Sequence, residues 1–125
     1  MIISDMEAGL EHLSRSTTRA SDVMLVVAEP YYRSLETASR VKRMAAELGI
    51  PKIYAIANKV RTPADAQAVQ TFCEKHGLDI LATVPHDEKL IAASQIPQAP
   101  LDFYPESAAV LAVVGLAEKL RAMLN

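Results

Sequence analysis

Three short apolar runs limit what this chain can become: Val23 to Ala28 (VMLVVA), Ile53 to Ala57 (IYAIA) and Ile80 to Val84 (ILATV). Each is continuous rather than alternating, rich in β-branched residues and about one strand long. Strands buried on both faces have this pattern, and such strands occur in parallel sheets covered by helices.

Helical periodicity fills the intervals. From Ser34 to Leu48 apolar residues fall at Leu35, Ala38, Val41, Ala45 and Leu48, with Gly49 at the expected C-terminal cap and Pro51 beyond it. Thr62-Pro63-Ala64-Asp65 reads as a capping box with proline at the first helical position. Ala66, Val69, Phe72 and Cys73 form the inner face of that helix, and His76-Gly77 ends it. A short helix is expected from about Asp87 to Ala93, then an irregular connection around Pro97 and Pro100. The last helix is expected from about Pro105 to Met123, with Val110, Leu111, Val114, Ala117 and Leu120 facing inward. Alternating strands and helices predict a three-layer α/β fold, mostly parallel, with helices on both faces. Residues 1–125 are read as a single domain.

Composition excludes several functions. Half of the residues are apolar and 22% are charged, the balance of a packed domain rather than a disordered chain. The formal net charge of −2 offers no basic surplus, so no nucleic acid partner is expected. Cys73 is the single cysteine, which rules out an internal disulfide and suits a reducing cytoplasm. No run approaches the roughly 20 apolar residues of a membrane span.

Side chains with chemical potential gather where strands are expected to end. Asp5 follows Ile2-Ile3-Ser4, which reads as a stub of strand; its carboxylate suits a helix cap or a magnesium-bound water. Asn58 carries the donor and acceptor that a purine edge requires, and the Lys59 stem has the length to cover a ring; a polar turn is the plainer reading. Glu7, Glu11, His12 and Arg15 form a charged group, and a solvated helix face explains it as well as an interface does. His76 reads as a cation at a helix end, Cys73 as core, and Tyr31-Tyr32-Arg33 as surface loop.

The string Asp5-Met6-Glu7-Ala8-Gly9-Leu10-Glu11-His12, after Ile2-Ile3-Ser4, resembles the switch region of the MinD/ParA/nitrogenase-iron-protein class of P-loop ATPases. Within that class it is most similar to the CooC-like ATPases that mature carbon monoxide dehydrogenase. Asn58-Lys59 resembles the base-recognition motif, and Val84-Pro85-His86-Asp87 the loop on the other side of the base. The resemblance implies the C-terminal half of such an ATPase, with ATP or ADP and magnesium as ligands of the intact protein. It implies Asp5 and Gly9 as catalytic residues, with Asp5 reaching magnesium through water. Asn58, Lys59, Pro85, His86 and Asp87 are implied on the nucleotide base. Arg61 stands where a guanine-specific protein places an acceptor, so adenine is expected.

The four glycines of the chain lie far apart, and no Gly-rich phosphate loop is present. The chain alone is therefore not expected to hydrolyse ATP. In the resembled fold the phosphate-loop strand separates the stub from Val23–Ala28. Its absence is expected to leave Val23–Ala28 as an apolar edge, covered by a second copy in a homodimer. A metalloenzyme client is the other partner implied; a non-catalytic dimerisation or regulatory module is the alternative function.

Overall fold

The computed structural model describes residues 1–6 and 21–124. Among these the elements run β1 (Val23–Ala28), α1 (Tyr32–Glu47), β2 (Lys52–Val60), α2 (Pro63–Lys75), β3 (Asp79–Pro85), α3 (Glu88–Ala93), α4 (Pro100–Phe103) and α5 (Ala108–Leu124). The described strands form one sheet in the order β1-β2-β3, and both pairs are parallel.

Successive strand residues point to opposite faces, and that alternation sorts the core into two clusters. On one face Val26 and Ala28 of β1, with Ala55 and Ala57 of β2, pack with α1 and α2 through Leu35, Ala38, Val69 and Cys73. On the other, Ile56 and Val84 pack with Ala109 of α5, flanked by Leu25, Ala82, Leu90 and Leu116. Helices therefore cover both faces, giving the expected three layers. No helix among the described residues is long and apolar enough to cross a membrane.

The first two helices stop by the same device. After α1, Gly49 takes φ +84° while Ile50 N–H donates to Ala45 O at 3.1 Å and Gly49 N–H to Ala46 O at 3.0 Å. After α2, Gly77 takes φ +65° while Leu78 N–H donates to Cys73 O at 2.9 Å and Gly77 N–H to Glu74 O at 3.4 Å. These are Schellman closures, which require a left-handed residue after the cap. Ile50 and Leu78 then bury to 4% and 3% exposure, so each closure plugs the helix end with the residue that leads into the next strand. The α2 entrance is the expected capping box: Thr62 Oγ1 accepts from Asp65 N–H at 3.1 Å, and Asp65 Oδ2 accepts from Thr62 N–H at 3.3 Å.

Three expectations are corrected. Ile2-Ile3-Ser4 form no strand, and Ile2 is 98% exposed. A strand is held by ladder hydrogen bonds, and the described sheet places no neighbour beside these residues. The connection after α3 contains α4, a four-residue helix opened by Pro100 at its first position, a proline read only as a breaker. In α5 Val110 is buried as expected, but Ala109, Ala112 and Leu116 complete the inner face, whereas Leu111 is 57% and Val114 is 38% exposed. Residues 108–117 are almost wholly apolar, so periodicity had little polar contrast from which to choose a face.

The two kinds of glycine predict opposite signs. Gly49→Ala meets open space but must hold φ +84°, so it should cost about 1 kcal/mol in urea denaturation. Gly115→Ala lies within α5, also in open space, and should instead stabilise by about 0.5–1 kcal/mol. Equal effects at the two positions would contradict the left-handed closure.

Candidate nucleotide-base site

Because every described strand is parallel, the three C-terminal strand ends lie along one edge of the sheet. Glu29 follows β1, Asn58 and Lys59 lie in the last turn of β2, and His86 and Asp87 follow β3. Doubly wound sheets bind ligands outside this edge.

The β2 end is irregular. Ala57 pairs with Thr83 and Val60 with Pro85, so three steps along β2 match two along β3. One extra residue is thus inserted as a bulge, and Lys59 adopts φ +56° within it. It is the one non-glycine residue with positive φ among those described. Such conformations persist where surrounding bonds over-determine them and concentrate at functional sites. Here the bulge is pinned from both sides. His86 N–H donates to Val60 O at 2.9 Å, and Lys59 Nζ lies 2.9 Å from Glu29 Oε1. The hydrogen bond to Glu29, then its charge, raises the Lys59 ammonium above its ordinary pKa. Glu29 is itself anchored, its N–H donating to Ser34 Oγ at 2.9 Å.

The structure thus brings Asn58, Lys59, Pro85 and His86 together. Asp87 stands beside them with both carboxylate oxygens engaged. Oδ1 accepts from Lys89 N–H at 3.0 Å, capping α3, and Oδ2 accepts from Ala109 N–H at 3.2 Å at the start of α5. The Ala109 and Lys89 amides, with the Ser107 hydroxyl, hold this carboxyl below its ordinary pKa. Asp87 ties the loop after β3 to two helices.

Asp5 is exposed and lies outside the sheet, not at the end of a buried strand. No group of three His, Cys, Asp or Glu residues able to hold a metal exists among the described residues. Gly9, with Glu7, Glu11, His12 and Arg15, lies outside the described residues. Cys73 is core at 2% exposure, and burial pushes its thiol up. His76 stacks on Phe72 with centroids 4.1 Å apart, its Nδ1 2.9 Å from Phe72 O. Tyr31 and Tyr32 are exposed. Sequence reasoning missed the partnership of Glu29 with Lys59. The signal was a carboxylate and an amine at the ends of two strands that proved to be neighbours.

No protein-family profile matches the chain. Among curated proteins, an uncharacterised ATP-binding protein of Methanocaldococcus jannaschii is 44% identical over 91 residues, 73% of this chain and 35% of that protein. The carbon monoxide dehydrogenase accessory protein CooC of Rhodospirillum rubrum is 38% identical over 104 residues, 83% of this chain and 39% of CooC. Among solved structures, MinD cell division protein of Aquifex aeolicus superposes with a TM-score of 0.72 at 19% identity, covering 83% of this chain and 45% of MinD. Pyrococcus furiosus cell division ATPase MinD gives 0.68 at 22% identity, with 85% and 45% covered.

The chain is homologous to part of CooC and of the ATP-binding proteins similar to it. It spans less than half the length of each relative above. The solved structures establish the fold, a parallel sheet with helices as in MinD, and the curated relatives establish the kinship with ATP-binding proteins.

Asp87 makes acid stability testable in this CooC/MinD-like fold. A depressed folded pKa means its contribution is fully present above the unfolded value near 3.8 and is lost as pH falls through the folded value. In a urea-midpoint series, Asp87→Asn should be less stable than the unmodified chain at neutral pH, and the two should converge on acidification. A constant gap across pH would assign the effect to packing instead.

Proposed function

We propose that this chain supplies the base-binding side of an ATP site in a CooC/MinD-like protein. One observation carries the reading: the bulged Asn58-Lys59 segment and Pro85-His86 converge on the ligand-binding edge of the sheet. Asn58 offers an amide donor and acceptor to the adenine edge, and the Lys59 stem covers a ring face. The loop at Pro85 and His86 closes the other side, and Asp87 fixes that loop through its two helix amides. Arg61 presents a cation where guanine would need an acceptor, so adenine is the preferred base. Asp5 and Gly9 belong, on this reading, to the phosphate side of the longer protein. Magnesium would be held there with residues beyond those described.

Kinship with CooC, named for carbon monoxide dehydrogenase, favours a role in metallocentre maturation with a metalloenzyme client in the cytoplasm. The exposed β1 edge, where Val27 is 61% exposed, favours a homodimer through that edge. Light scattering across a dilution series should show dimers at micromolar concentration, and a folded monomer throughout would remove the dimer.

The decisive test is calorimetry of ADP and ATP with magnesium, on this chain and on a form extended to the length of its curated relatives. Adenine nucleotides should bind more tightly than guanine nucleotides, and Asn58→Ala should weaken ADP about tenfold, the worth of one hydrogen-bonding group in a site. Absence of nucleotide binding by both forms would sink the proposal and favour a regulatory or dimerisation module.

A further inference from the structure

We infer that Glu29 is a positioning residue for the base site, clamping Lys59 across the gap between β1 and β2 so that its stem is presented to the base. This inference rests on the base-site reading above. It assigns a role to a residue on a strand that carries none of the recognised motifs.

The Lys59 backbone is strained. A lysine gains nothing from φ +56°; its Cβ crowds the following carbonyl, and a glycine would hold the same bulge without that clash. The side chain must therefore be useful where this backbone sends it. Sent that way, the ammonium lies 2.9 Å from Glu29 Oε1. The Glu29 side chain is 34% exposed and that of Lys59 is 59% exposed, so the pair sits at the rim, open to a ligand and not buried within the core.

Glu29 is well suited to act as an anchor. Its N–H is held by Ser34 Oγ at 2.9 Å, and its carbonyl accepts from Tyr31 N–H at 2.8 Å, which turns the chain into α1. The carboxylate is thus attached to a rigid corner while Lys59 rides on a bulge. Two consequences follow from chemistry. The ammonium is drawn aside toward β1, leaving the four-carbon stem as the apolar surface facing the strand ends. Its charge is also matched locally, which suits a neutral adenine ring better than a free cation would. A free Lys59 would instead be drawn toward the nucleotide phosphates, away from the base.

Other charged groups do not substitute for Glu29. Among the described residues, Lys59 forms no other ion pair, and Asp65, the nearest acid along β2 and α2, is occupied by the Arg61 and Thr62 amides. Glu29→Gln keeps the shape and removes the charge; Glu29→Asp keeps the charge and shortens the reach.

The test is calorimetry of ADP and of inorganic tripolyphosphate, in whichever form of the protein binds ADP, with denaturation midpoints run alongside. Glu29→Gln should weaken ADP about two- to five-fold, as an exposed ion pair allows, without weakening tripolyphosphate. Lys59→Gly should weaken ADP similarly while raising the denaturation midpoint, and Glu29→Asp should fall between. Unchanged ADP affinity in Glu29→Gln, or an equal loss of ADP and tripolyphosphate, would overturn the positioning role and leave the base site standing. Failure of every form of the unmodified protein to bind ADP would instead remove the base site, and the clamp with it.

Discussion

The whole arrangement depends on β2 being paired on both sides. Its central residues Ala55, Ile56 and Ala57 are 0%, 4% and 1% exposed, sandwiched between α1 and α2 on one face and α5 on the other. A strand so enclosed satisfies its backbone groups only through β1 and β3, because water does not reach them. Parallel pairing on both sides then forces each connection to cross a face and return to the same end. Every strand consequently finishes on one edge, and side chains from distant stretches of sequence meet there. Residues 29, 58–59 and 85–87 become neighbours for this topological reason.

Much of this was legible in the sequence, because local chemistry and tertiary demand agreed. The runs Val23–Ala28, Ile53–Ala57 and Ile80–Val84 became β1 and the centres of β2 and β3. Thr62-Pro63-Ala64-Asp65 could scarcely be other than a helix entrance, and Gly49 and Gly77 sit where left-handed closure demands them. The convergence of Asn58-Lys59 with Pro85-His86 followed once those strands were recognised as parallel neighbours.

The misreadings share a physical cause: information that resides in a neighbour rather than in the segment. Ile2-Ile3-Ser4 have strand-forming side chains, yet a strand exists only beside a partner. The face that α5 turns inward was unreadable because its other side is apolar too; Leu111, Val113 and Val114 remain exposed. Such a helix resembles one designed to be covered twice. The same holds for β1, whose burial is partial although its composition suits an interior strand. Both observations fit a chain that spans less than half of its relatives' length. Asp87 shows information of the same kind. Its motif places it in the loop after β3, while the two helix amides that its carboxylate accepts from converge on it only in three dimensions.

The bulge at Lys59 unites these threads. A regular β2 would turn the residue after Asn58 into one face of the sheet, where α2 or α5 would compete with it for space. One inserted residue breaks that alternation and frees the side chain to run along the strand ends instead. The break falls after Ala57 and before Val60, whose carbonyl holds the His86 amide; a separate register shift lies earlier, between Ala55 and Ile56. Positions 58 and 59 thus leave the ladder without exposing core or losing the join to β3. Asn58 and Lys59, the residues proposed for the base, occupy those two positions. The fold therefore sets the candidate site at this edge, and the ligand proposed for it rests on similarity to ATP-binding proteins.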